Sequence, residues 1–324
     1  MTKRALITGI TGQDGPYLAK LLLSKGYQVF GTVRGFGTPN TERLSEVGII
    51  EEVELVPLEL LNLDGITEAL ETIQPHEVYN LAAQSSVAAS FKQPLITGDH
   101  TGLGAARLLE GIRTVNPRIK FYQASTSEMF GKVRVIPQNE ETSFNPRSPY
   151  AIAKLYAHFM TVTYREAYDI FCCAGILFNH ESPLRGLDYV TRKITHTVAR
   201  IKSGLERELR LGSLDVQRDW GFAPEYVEAM WLMIQQEQPE DFVIATGEPH
   251  SVREFVQKAF SHVGLDWQDY VVTDPAFYRP AEVNMIVGDP AKAGSKLNWR
   301  PKTTFNELVG IMVDADMERV AQKS

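Results

Sequence analysis

The sequence has few cysteines, no long apolar run and no excess of basic residues, and each shortage narrows the class of protein. The two cysteines, Cys172 and Cys173, are adjacent in the apolar stretch IFCCAGILF. Neighbours in a strand point to opposite faces, so we predict two small buried residues in a reducing compartment. No stretch approaches the ~20 apolar residues that span a bilayer. The start, MTKRALITG, runs directly into a predicted strand and leaves no room for a signal peptide. We therefore expect a cytoplasmic protein without a membrane partner.

The charge balance argues against a nucleic-acid partner. The chain has 33 Lys and Arg residues against 40 Asp and Glu residues, a formal net charge of −7. A nucleic-acid surface would need a basic patch, whereas the segment RKITHTVARIKSG is compatible with binding one anionic small molecule. With 44% hydrophobic and 23% charged residues, the 324-residue chain is typical of a soluble globular protein and long enough for two packed lobes. We predict no metal site.

Short apolar runs alternate with longer amphipathic segments in the first half of the chain. Strands are predicted at RALITG, YQVFGTV, VELVPLEL, EVYNLAA, KFYQAST and FCCAGILF, with helix-like segments between them. Connections of this length imply right-handed crossovers and a parallel sheet that is covered on both faces. The predicted fold class is therefore α/β, a doubly wound parallel sheet of the Rossmann type with a smaller C-terminal α/β lobe.

Beyond about Asn179 the pattern loosens, and polar or Pro-rich connections separate the helices. Helices are predicted at 190–203, 224–235, 252–263 and 305–320, and FVIATG is predicted to return to the main sheet as a late strand. The predicted nucleotide-binding domain is 1–178 plus about 213–248, and the substrate lobe is about 179–212 plus 249–324. In such folds ligands bind above the carboxyl ends of the strands.

A glycine-rich turn follows the first predicted strand. In TGITGQDGPY, Gly9, Gly12 and Gly15 have the spacing GxxGxxG between a strand and a helix. Glycines let the backbone turn sharply and approach a pyrophosphate, which then lies at the helix N-terminus. The spacing is similar to that of short-chain dehydrogenases and predicts a nicotinamide dinucleotide site. The same turn adds the cofactor-binding candidates Thr11, Gln13 and Asp14.

Residues at the ends of the next strands extend this predicted site. NAD enzymes usually carry a carboxylate after the second strand, but this sequence has Arg34 there and no acid until Glu42. A guanidinium can form paired hydrogen bonds to a 2′-phosphate, which favours NADP; alternatively, Arg34 only solvates a loop. After the third strand, Glu59 stands where such enzymes often carry an acid near the adenine. The remaining cofactor candidates follow the third and fourth strands, where small residues would let a ribose pack closely: Leu60, Leu81, Ala82, Ala83, Gln84 and Ser85.

The segment SPYAIAK has a spacing that suits acid–base chemistry. Tyr150 and Lys154 are four residues apart, and therefore one turn apart on one helix face. We expect the ammonium of Lys154 to lower the pKa of the phenol, so that Tyr150 acts as a general base near neutral pH. Upstream, the strand KFYQAST ends in a group of hydroxyls and one carboxylate that includes Thr126, Ser127 and Glu128. Both segments are predicted to face the same ligand.

The glycine turn, the strand-end hydroxyls and the Tyr150–Lys154 pair follow one another along the chain at the expected spacing. With them, the chain resembles the extended short-chain dehydrogenases that act on nucleotide sugars, over essentially its whole length. The resemblance is narrower in six segments, which are similar to those of the GDP-mannose 4,6-dehydratase family: QASTSEMFG, PRSPYAIAKLYAH, GILFNHESPLRG, VTRKI, RDWGFAPEYVEAMWLM and RPAEV. Epimerases of the same superfamily have the tyrosine and the lysine but usually lack a carboxylate directly after the hydroxyl pair. Glu128 is therefore the residue that favours a dehydratase.

The resemblance implies conversion of GDP-D-mannose to GDP-4-keto-6-deoxy-D-mannose with tightly bound NADP that is recycled in each turnover. A C4 ketone is needed because the C5–H of an unoxidised hexose is too weak an acid. Tyr150 takes the C4 hydroxyl proton while hydride passes to the nicotinamide, and Thr126 orients that hydroxyl. Glu128 removes the C5 proton and protonates the departing C6 hydroxyl, before the hydride returns at C6. Lys154 holds the nicotinamide ribose and tunes Tyr150.

The resemblance also implies contacts in the second half of the chain. Asn179 touches the sugar nucleotide, and His180 and Arg185 reach the cofactor. A diphosphate needs about two positive partners, and the candidates are Lys193, Arg218 and Arg279. The further substrate-binding candidates, with a capping role for Ser127 equally open, are Ser85, Ser127, Lys193, Arg218, Arg279 and Glu282.

The expected assembly is a homodimer or a homotetramer. Family members often carry two adjacent arginines after the second strand, and the following loop contributes to a tetramer interface. Here Gly35 follows Arg34, which leaves the choice open. The predicted dimer contact uses the helices at about 100–115 and 150–168.

Two other functions stay open. A reductase, an epimerase or a dehydratase for another GDP-sugar, for example a manno-heptose, would use the same phenol and lysine. A non-catalytic nucleotide-binding regulator would keep the fold alone, and it has no use for Thr126, Glu128 and Tyr150 together.

Overall fold

The computed structural model describes residues 2–35, 39–277 and 283–322. Its strands are β1 (Arg4–Thr8), β2 (Gln28–Val33), β3 (Val53–Pro57), β4 (Glu77–Asn80), β5 (Lys120–Thr126), β6 (Cys172–Leu177), β7 (Asn179–Glu181), β8 (Leu209–Leu211), β9 (Gln217–Phe222), β10 (Phe242–Ile244), β11 (Pro249–Ser251), β12 (Val271–Thr273) and β13 (Met285–Ile286). Its helices are α1 (Asp14–Ser24), α2 (Glu42–Glu46), α3 (Leu63–Ile73), α4 (Val87–Lys92), α5 (Pro94–Thr97), α6 (Gly104–Val115), α7 (Pro149–Tyr168), α8 (Val190–Lys202), α9 (Ala223–Ile234), α10 (Val252–His262), α11 (Ala291–Lys296) and α12 (Phe305–Gln322).

The main sheet has seven strands in the order β10-β6-β5-β4-β1-β2-β3. Every neighbouring pair in it is parallel. The chain builds outward from β1 to β3 and then crosses to the other side of β1 to lay down β4. This reversal confirms the predicted doubly wound parallel sheet, and it creates a switch point between β1 and β4 where such folds bind ligands. The predicted late strand is also confirmed, because β10 pairs with β6.

Helices cover both faces of this sheet. One apolar core joins the sheet to α1 and α9 through residues such as Leu18 and Val227. A second core joins the other face to α3, α6 and α7, with Ile66 and Leu108 among its members. All six residues of β6 are buried, including the two free cysteines. A strand buried on both faces reads as one continuous apolar run, which is how β6 appears in the sequence.

The helix predicted at about 100–115 corresponds to α6, and helical backbone begins before it. A π-helical turn, Gly98–Leu103, joins α5 to α6. At Gly102 a Cβ would lie 3.3 Å from the carbonyl oxygen of Ala153 in α7. The wide turn therefore sits where the two helices approach closely, and its irregular backbone hides the usual 3.6-residue periodicity.

A second sheet is formed by later strands of the chain, β7, β9, β11 and β13, and has β9 at its centre. β9 pairs with β11 in antiparallel and with β7 and β13 in parallel, while β12 pairs separately with β8. Its core contains Ile194 of α8, Phe255 of α10 and Met312 of α12, and Trp220 of β9 packs there too. β9 lies inside the 213–248 stretch assigned to the nucleotide-binding domain, and the domain boundaries stay a prediction. Among the described residues, no helix is long and apolar enough to cross a membrane.

Candidate active site

The predicted catalytic and cofactor-binding residues lie along one edge of the main sheet. Gly9 follows β1, Leu81 follows β4, and Thr126 ends β5. Parallel strands bring their carboxyl ends to the same edge, so residues distant in sequence meet there. β7, which starts at Asn179, leads from this edge into the second sheet.

In the glycine turn between β1 and α1, the backbone packs so closely that two positions admit no side chain. Gly9 has a φ of +73°, and a Cβ there would lie 2.8 Å from the amide nitrogen of Ala82. At Gly15 a Cβ would collide with the carbonyl of Ile10. The helix begins at Asp14, and the N–H groups of its first turn have no partner within the helix. Backbone N–H groups at the start of a helix, beside a glycine-rich turn, fit the pyrophosphate of a dinucleotide.

Asp14 and His180 form a buried pair beside this turn. His180 Nε2 lies 2.8 Å from Asp14 Oδ2, and His180 Nδ1 lies 2.8 Å from the carbonyl oxygen of Phe178. Burial lowers the pKa of His180, but the Asp14 carboxylate outweighs it and raises that pKa overall. Burial raises the pKa of Asp14, and the charge of His180 outweighs that effect and lowers it. The pair therefore ties β7 to the first turn of α1. Its predicted contact with the cofactor stays a prediction.

Thr126, Glu128 and Tyr150 come together where β5 meets α7. The Tyr150 hydroxyl and the Thr126 side chain are hydrogen-bonded. Thr126 Oγ1 accepts a 3.3 Å hydrogen bond from the backbone N–H of Glu128. The carboxylate of Glu128, in a half-buried residue, is close enough for its charge to raise the pKa of Tyr150. The structure thus brings together the phenol, the hydroxyl and the carboxylate that the sequence selected.

The expected effect of Lys154 on Tyr150 is wrong in this arrangement. Burial raises the pKa of Tyr150 instead of leaving it lowered. Lys154 Nζ lies 6.0 Å from the centre of the Tyr150 ring and donates a 2.6 Å hydrogen bond to the carbonyl of Ala124. Burial also lowers the pKa of Lys154 itself to about 8. The ammonium is directed at the backbone of β5, so desolvation decides the pKa of the phenol.

A chain of buried hydrogen bonds connects Lys154 to the strand that carries the glycine turn. Thr8 Oγ1 donates to Asn80 Oδ1 at 2.6 Å, and Asn80 Nδ2 donates to Gln123 Oε1 at 2.8 Å. Gln123 Nε2 donates to the Ala124 carbonyl at 3.0 Å, the same oxygen that accepts from Lys154. We call this path the Thr8–Lys154 relay. It crosses β1, β4 and β5 beneath the ligand edge.

A second aromatic side chain, Tyr189, lies near Tyr150. Its hydroxyl is 2.8 Å from Ser85 Oγ, and the guanidinium carbon of Arg185 is 3.6 Å from its ring centre. Arg185 Nε also lies 3.1 Å from Glu181 Oε2. The sequence analysis did not select Tyr189, because an aromatic residue just before a helix is typical of packing. Its one available signal is its position four residues after Arg185.

The other cofactor candidates lie beside the glycine turn or at the ends of β2, β3 and β4. Arg34 is exposed, and the backbone N–H of the next residue, Gly35, donates to Glu59 Oε1 at 3.2 Å. Gln84 is held by Thr97 and Thr101. Thr11 accepts a hydrogen bond at its carbonyl from Arg43. The half-buried residues of the β4 edge are Leu81, Ala82, Ala83 and Gln84.

Of the three cations predicted to bind the diphosphate, the structure describes Lys193 and Arg218, and these two have different partners. Lys193 Nζ lies 3.6 Å from the centre of the Phe277 ring. Arg218, buried in β9, donates to the carbonyls of Gln217 and Val283 at 2.8 Å each. Arg279 and Glu282 lie outside the described residues. Asn179 is in register with Trp220 of β9, and Ser127 is buried, with its carbonyl accepting from the N–H of Phe130. These substrate contacts stay predictions.

Comparison with known proteins decides the family. The family model described as GDP-mannose 4,6 dehydratase matches residues 6–312. The chain is 51% identical to GDP-mannose 4,6 dehydratase 1 from Arabidopsis thaliana, with 98% of this chain and 90% of that protein covered. It is 49% identical to GDP-mannose 4,6 dehydratase from Homo sapiens, with 97% and 91% covered. The chain belongs to the GDP-mannose 4,6-dehydratase family.

The matched range includes the glycine turn, the Thr126–Glu128–Tyr150 cluster and every strand except the first two residues of β1. A solved structure supports the fold of this family member: dTDP-glucose 4,6-dehydratase from Bacillus anthracis, in complex with NAD, superposes with a TM-score of 0.85. The two chains are 20% identical, with 99% of this chain and 98% of that one covered. The likeness confirms the Rossmann-type, doubly wound fold.

Proposed function

We propose that this family member is a nucleotide-sugar 4,6-dehydratase, a lyase that converts GDP-D-mannose to GDP-4-keto-6-deoxy-D-mannose. The observation that carries the proposal is the cluster at the end of β5. The Tyr150 hydroxyl is hydrogen-bonded to Thr126, the backbone N–H of Glu128 donates to the same Thr126 side chain, and the Glu128 carboxylate is close enough to Tyr150 to act on its pKa. Epimerisation needs the phenol and the hydroxyl, but elimination of water needs an additional acid–base group. Glu128 is that group.

The residues of the cluster divide the reaction between them. When bound, NADP supplies a hydride acceptor for C4, a hydride donor for C6 and a positive ring charge that favours the phenolate of Tyr150. Tyr150 accepts the proton of the C4 hydroxyl, which Thr126 orients. Glu128 then takes the C5 proton, made acidic by the C4 ketone, and delivers it to the departing C6 hydroxyl, which leaves as water. Once C6 is reduced, C5 takes up one proton, which balances the proton that Tyr150 accepted from the C4 hydroxyl. Positioned acid–base groups of this kind accelerate a step by ~10²–10⁴-fold.

NADP is the proposed form of the nicotinamide cofactor. The glycine turn and the first turn of α1 would hold its pyrophosphate, and Lys154 would hold the nicotinamide ribose. The exposed guanidinium of Arg34, directly after β2, supports a 2′-phosphate. Glu59 accepts a hydrogen bond from the backbone N–H of Gly35, so its carboxylate is not expected to bind the ribose hydroxyls. It is proposed to lie near the adenine. His180 and Arg185 are proposed to reach the same cofactor.

For the substrate, Asn179, Ser85 and Ser127 are proposed to contact the sugar nucleotide. Lys193 and Arg218 are the described candidates for the diphosphate, together with Arg279. A guanine or ribose contact is proposed for Glu282.

We propose a homodimer formed through α7 and the helical segment at about 100–115, which leaves a tetramer open. On α7, Ile152, Tyr156 and Phe159 are 57%, 43% and 52% exposed, and their spacing puts them on one helix face. Beside them Leu95 is 86% exposed and Ile96 is 49% exposed. A contiguous apolar patch of this kind marks a protein interface.

The two unpaired buried cysteines support a cytoplasmic location.

Incubation of the purified protein with GDP-mannose, followed by mass spectrometry, tests the function. We expect a product lighter by one water, about 18 mass units by simple stoichiometry, without accumulation of reduced cofactor. An unchanged mass with altered stereochemistry would indicate an epimerase instead. A mass gain of two hydrogens with consumption of NADPH would indicate a reductase.

A further inference from the structure

Tyr189 connects two parts of the chain across the ligand edge. It directly precedes α8, whereas Ser85 follows β4 of the main sheet. Their hydroxyl oxygens are 2.8 Å apart, which is a normal hydrogen bond. Ser85 is exposed and Tyr189 is half-buried, so a ligand bound at this edge of the sheet can reach the pair.

The ring of Tyr189 supports a cation at the same time. The guanidinium carbon of Arg185 lies 3.6 Å from the ring centre, well within the range of a cation–π contact. Glu181 Oε2 lies 3.1 Å from Arg185 Nε, on the β7 side. The guanidinium is therefore held between a carboxylate and an aromatic ring.

The local backbone fixes the direction of the Tyr189 side chain. The N–H of Tyr189 donates to the carbonyl of Gly186 at 3.1 Å, and the Tyr189 carbonyl accepts from the N–H of Lys193 at 2.8 Å as α8 begins. A Cβ at Gly186 would lie 3.3 Å from Tyr189 Cδ2, so the ring packs tightly on this turn. Tyr189 and Arg185 both act on the pKa of Tyr150, which agrees with their place beside the catalytic phenol.

We propose that Tyr189 is a positioning residue of this site: its hydroxyl holds Ser85 for the nucleotide sugar, and its ring holds the Arg185 guanidinium for the dinucleotide. The inference rests on the proposed function for the identity of the two ligands. It adds that one side chain serves both ligands through two separable parts. Removing the hydroxyl alone should affect one ligand, and removing the ring should affect both.

Two substitutions separate these parts in the holoenzyme. Tyr189→Phe keeps the ring, so we expect the Kd of GDP-mannose to rise about 2–10-fold, the range for one lost hydrogen bond, with no change in NADP retained per chain after gel filtration. Tyr189→Leu also removes the ring, so we expect the Kd of NADP to rise about 3–30-fold. Calorimetry gives both constants, and thermal unfolding checks that each variant is folded.

A double-mutant cycle and a matched control make the test specific. Because Ser85→Ala and Tyr189→Phe remove the same bond, the double variant should bind GDP-mannose no more weakly than either single variant. Tyr168 offers the control, because Arg113 lies over its ring at 5.3 Å, at the end of α7. Tyr168→Phe and Tyr168→Leu should change neither constant.

Additive losses in the double variant, or equal loss of NADP in the Phe and Leu variants, would overturn the inference. Unaltered GDP-mannose affinity in Tyr189→Phe would overturn the role of the hydroxyl. If Tyr189→Leu does not fold, the Phe variant and the cycle decide. Failure of the proposed function is seen separately, as absence of GDP-mannose binding or turnover by the wild type; the NADP comparison between Phe and Leu then decides the role of the ring.

Discussion

Lys154 is 4% exposed, and its ammonium is directed at the carbonyl of Ala124. Burial lowers its pKa to about 8, so keeping it charged at neutral pH opposes folding. Between that value and the ordinary value of 10.5, the unfolded chain binds more protons than the folded chain. The free energy of unfolding that depends on Lys154 therefore rises with pH across this window.

Lys154→Met should stabilise the cofactor-free protein while abolishing turnover. At pH 7 we expect the free energy of unfolding to rise by about 1–3 kcal/mol, since one pKa unit corresponds to ~1.36 kcal/mol. The Ala124 carbonyl keeps the amide of Gln123 as a donor, so no acceptor is left unpaired. Urea denaturation at several pH values measures the effect, and the advantage of the variant should shrink above pH 8. A variant that is less stable than wild type at pH 7 would contradict the argument.

Glu128→Gln should stop elimination while leaving the first oxidation possible. We expect dehydration of GDP-mannose to fall ~10²–10⁴-fold, with NADP retention and GDP-mannose affinity close to wild type. Tyr150→Phe is the contrasting variant, because it should block the initial oxidation of C4. Absorbance near the reduced nicotinamide band in a single turnover distinguishes the two. Undiminished turnover in Glu128→Gln would remove this carboxylate from the mechanism.

The catalytic residues could be predicted from sequence because their chemistry requires fixed local spacings. Tyr150 and Lys154 are one helical turn apart, and Thr126 and Glu128 belong to one strand end. The pairing of Asp14 with His180 could not be predicted in this way, because 166 positions separate the two residues. Tyr189 was missed for a similar reason, since its role depends on Ser85 from another strand.

At the scale of elements, the C-terminal helix α12 is connected to the loop that carries Arg185. Asp316 of α12 is fully buried and accepts from Arg192 Nε of α8 at 2.8 and 2.9 Å, and from Thr195 at 2.7 Å. Arg192 Nη1 donates in turn to the carbonyls of Pro183 and Arg185. A buried pair thus sets the loop beside Tyr189.

Asp316→Ala should destabilise the protein by about 3–5 kcal/mol, because it leaves the Arg192 charge buried without its partner. The double variant Arg192→Leu/Asp316→Ala should lose less than the sum of the two single variants, since no buried charge remains. Urea denaturation of the three variants measures the coupling. Strict additivity would show that the pair does not act as a unit.

The elements themselves were mostly predictable, and the exceptions have physical causes. Apart from the edge strand β3, the strands of the main sheet are largely buried on both faces, so they are easily recognised in the sequence. The short strands of the second sheet, such as Met285–Ile286, are too brief to show periodicity. The π-helical turn Gly98–Leu103 has no sequence period of its own, and it depends on the approach of α7.

At the scale of the whole molecule, the exposed side chains of α7 predict the assembly. Ile152→Glu should convert the proposed dimer to a monomer, because a charge would be desolvated at the centre of the apolar patch. Light scattering coupled to gel filtration measures the mass. Leu205→Glu is the matched control, since Leu205 is 52% exposed after α8, away from this patch. A monomeric wild type, or a dimeric Ile152→Glu variant, would contradict the proposed interface.

The Thr8–Lys154 relay has a consequence for anyone who redesigns this site. Thr8 donates to Asn80, Asn80 donates to Gln123, and Gln123 and Lys154 both donate to the carbonyl oxygen of Ala124, so the direction of each hydrogen bond depends on the donor of the residue before it. Replacing Thr8 with valine would leave Asn80 Oδ1 without its proton donor, and any shift of Asn80 would be passed on to Gln123 in β5, two strands away from the altered side chain. A redesign of this site therefore has to keep or replace Thr8, Asn80 and Gln123 together.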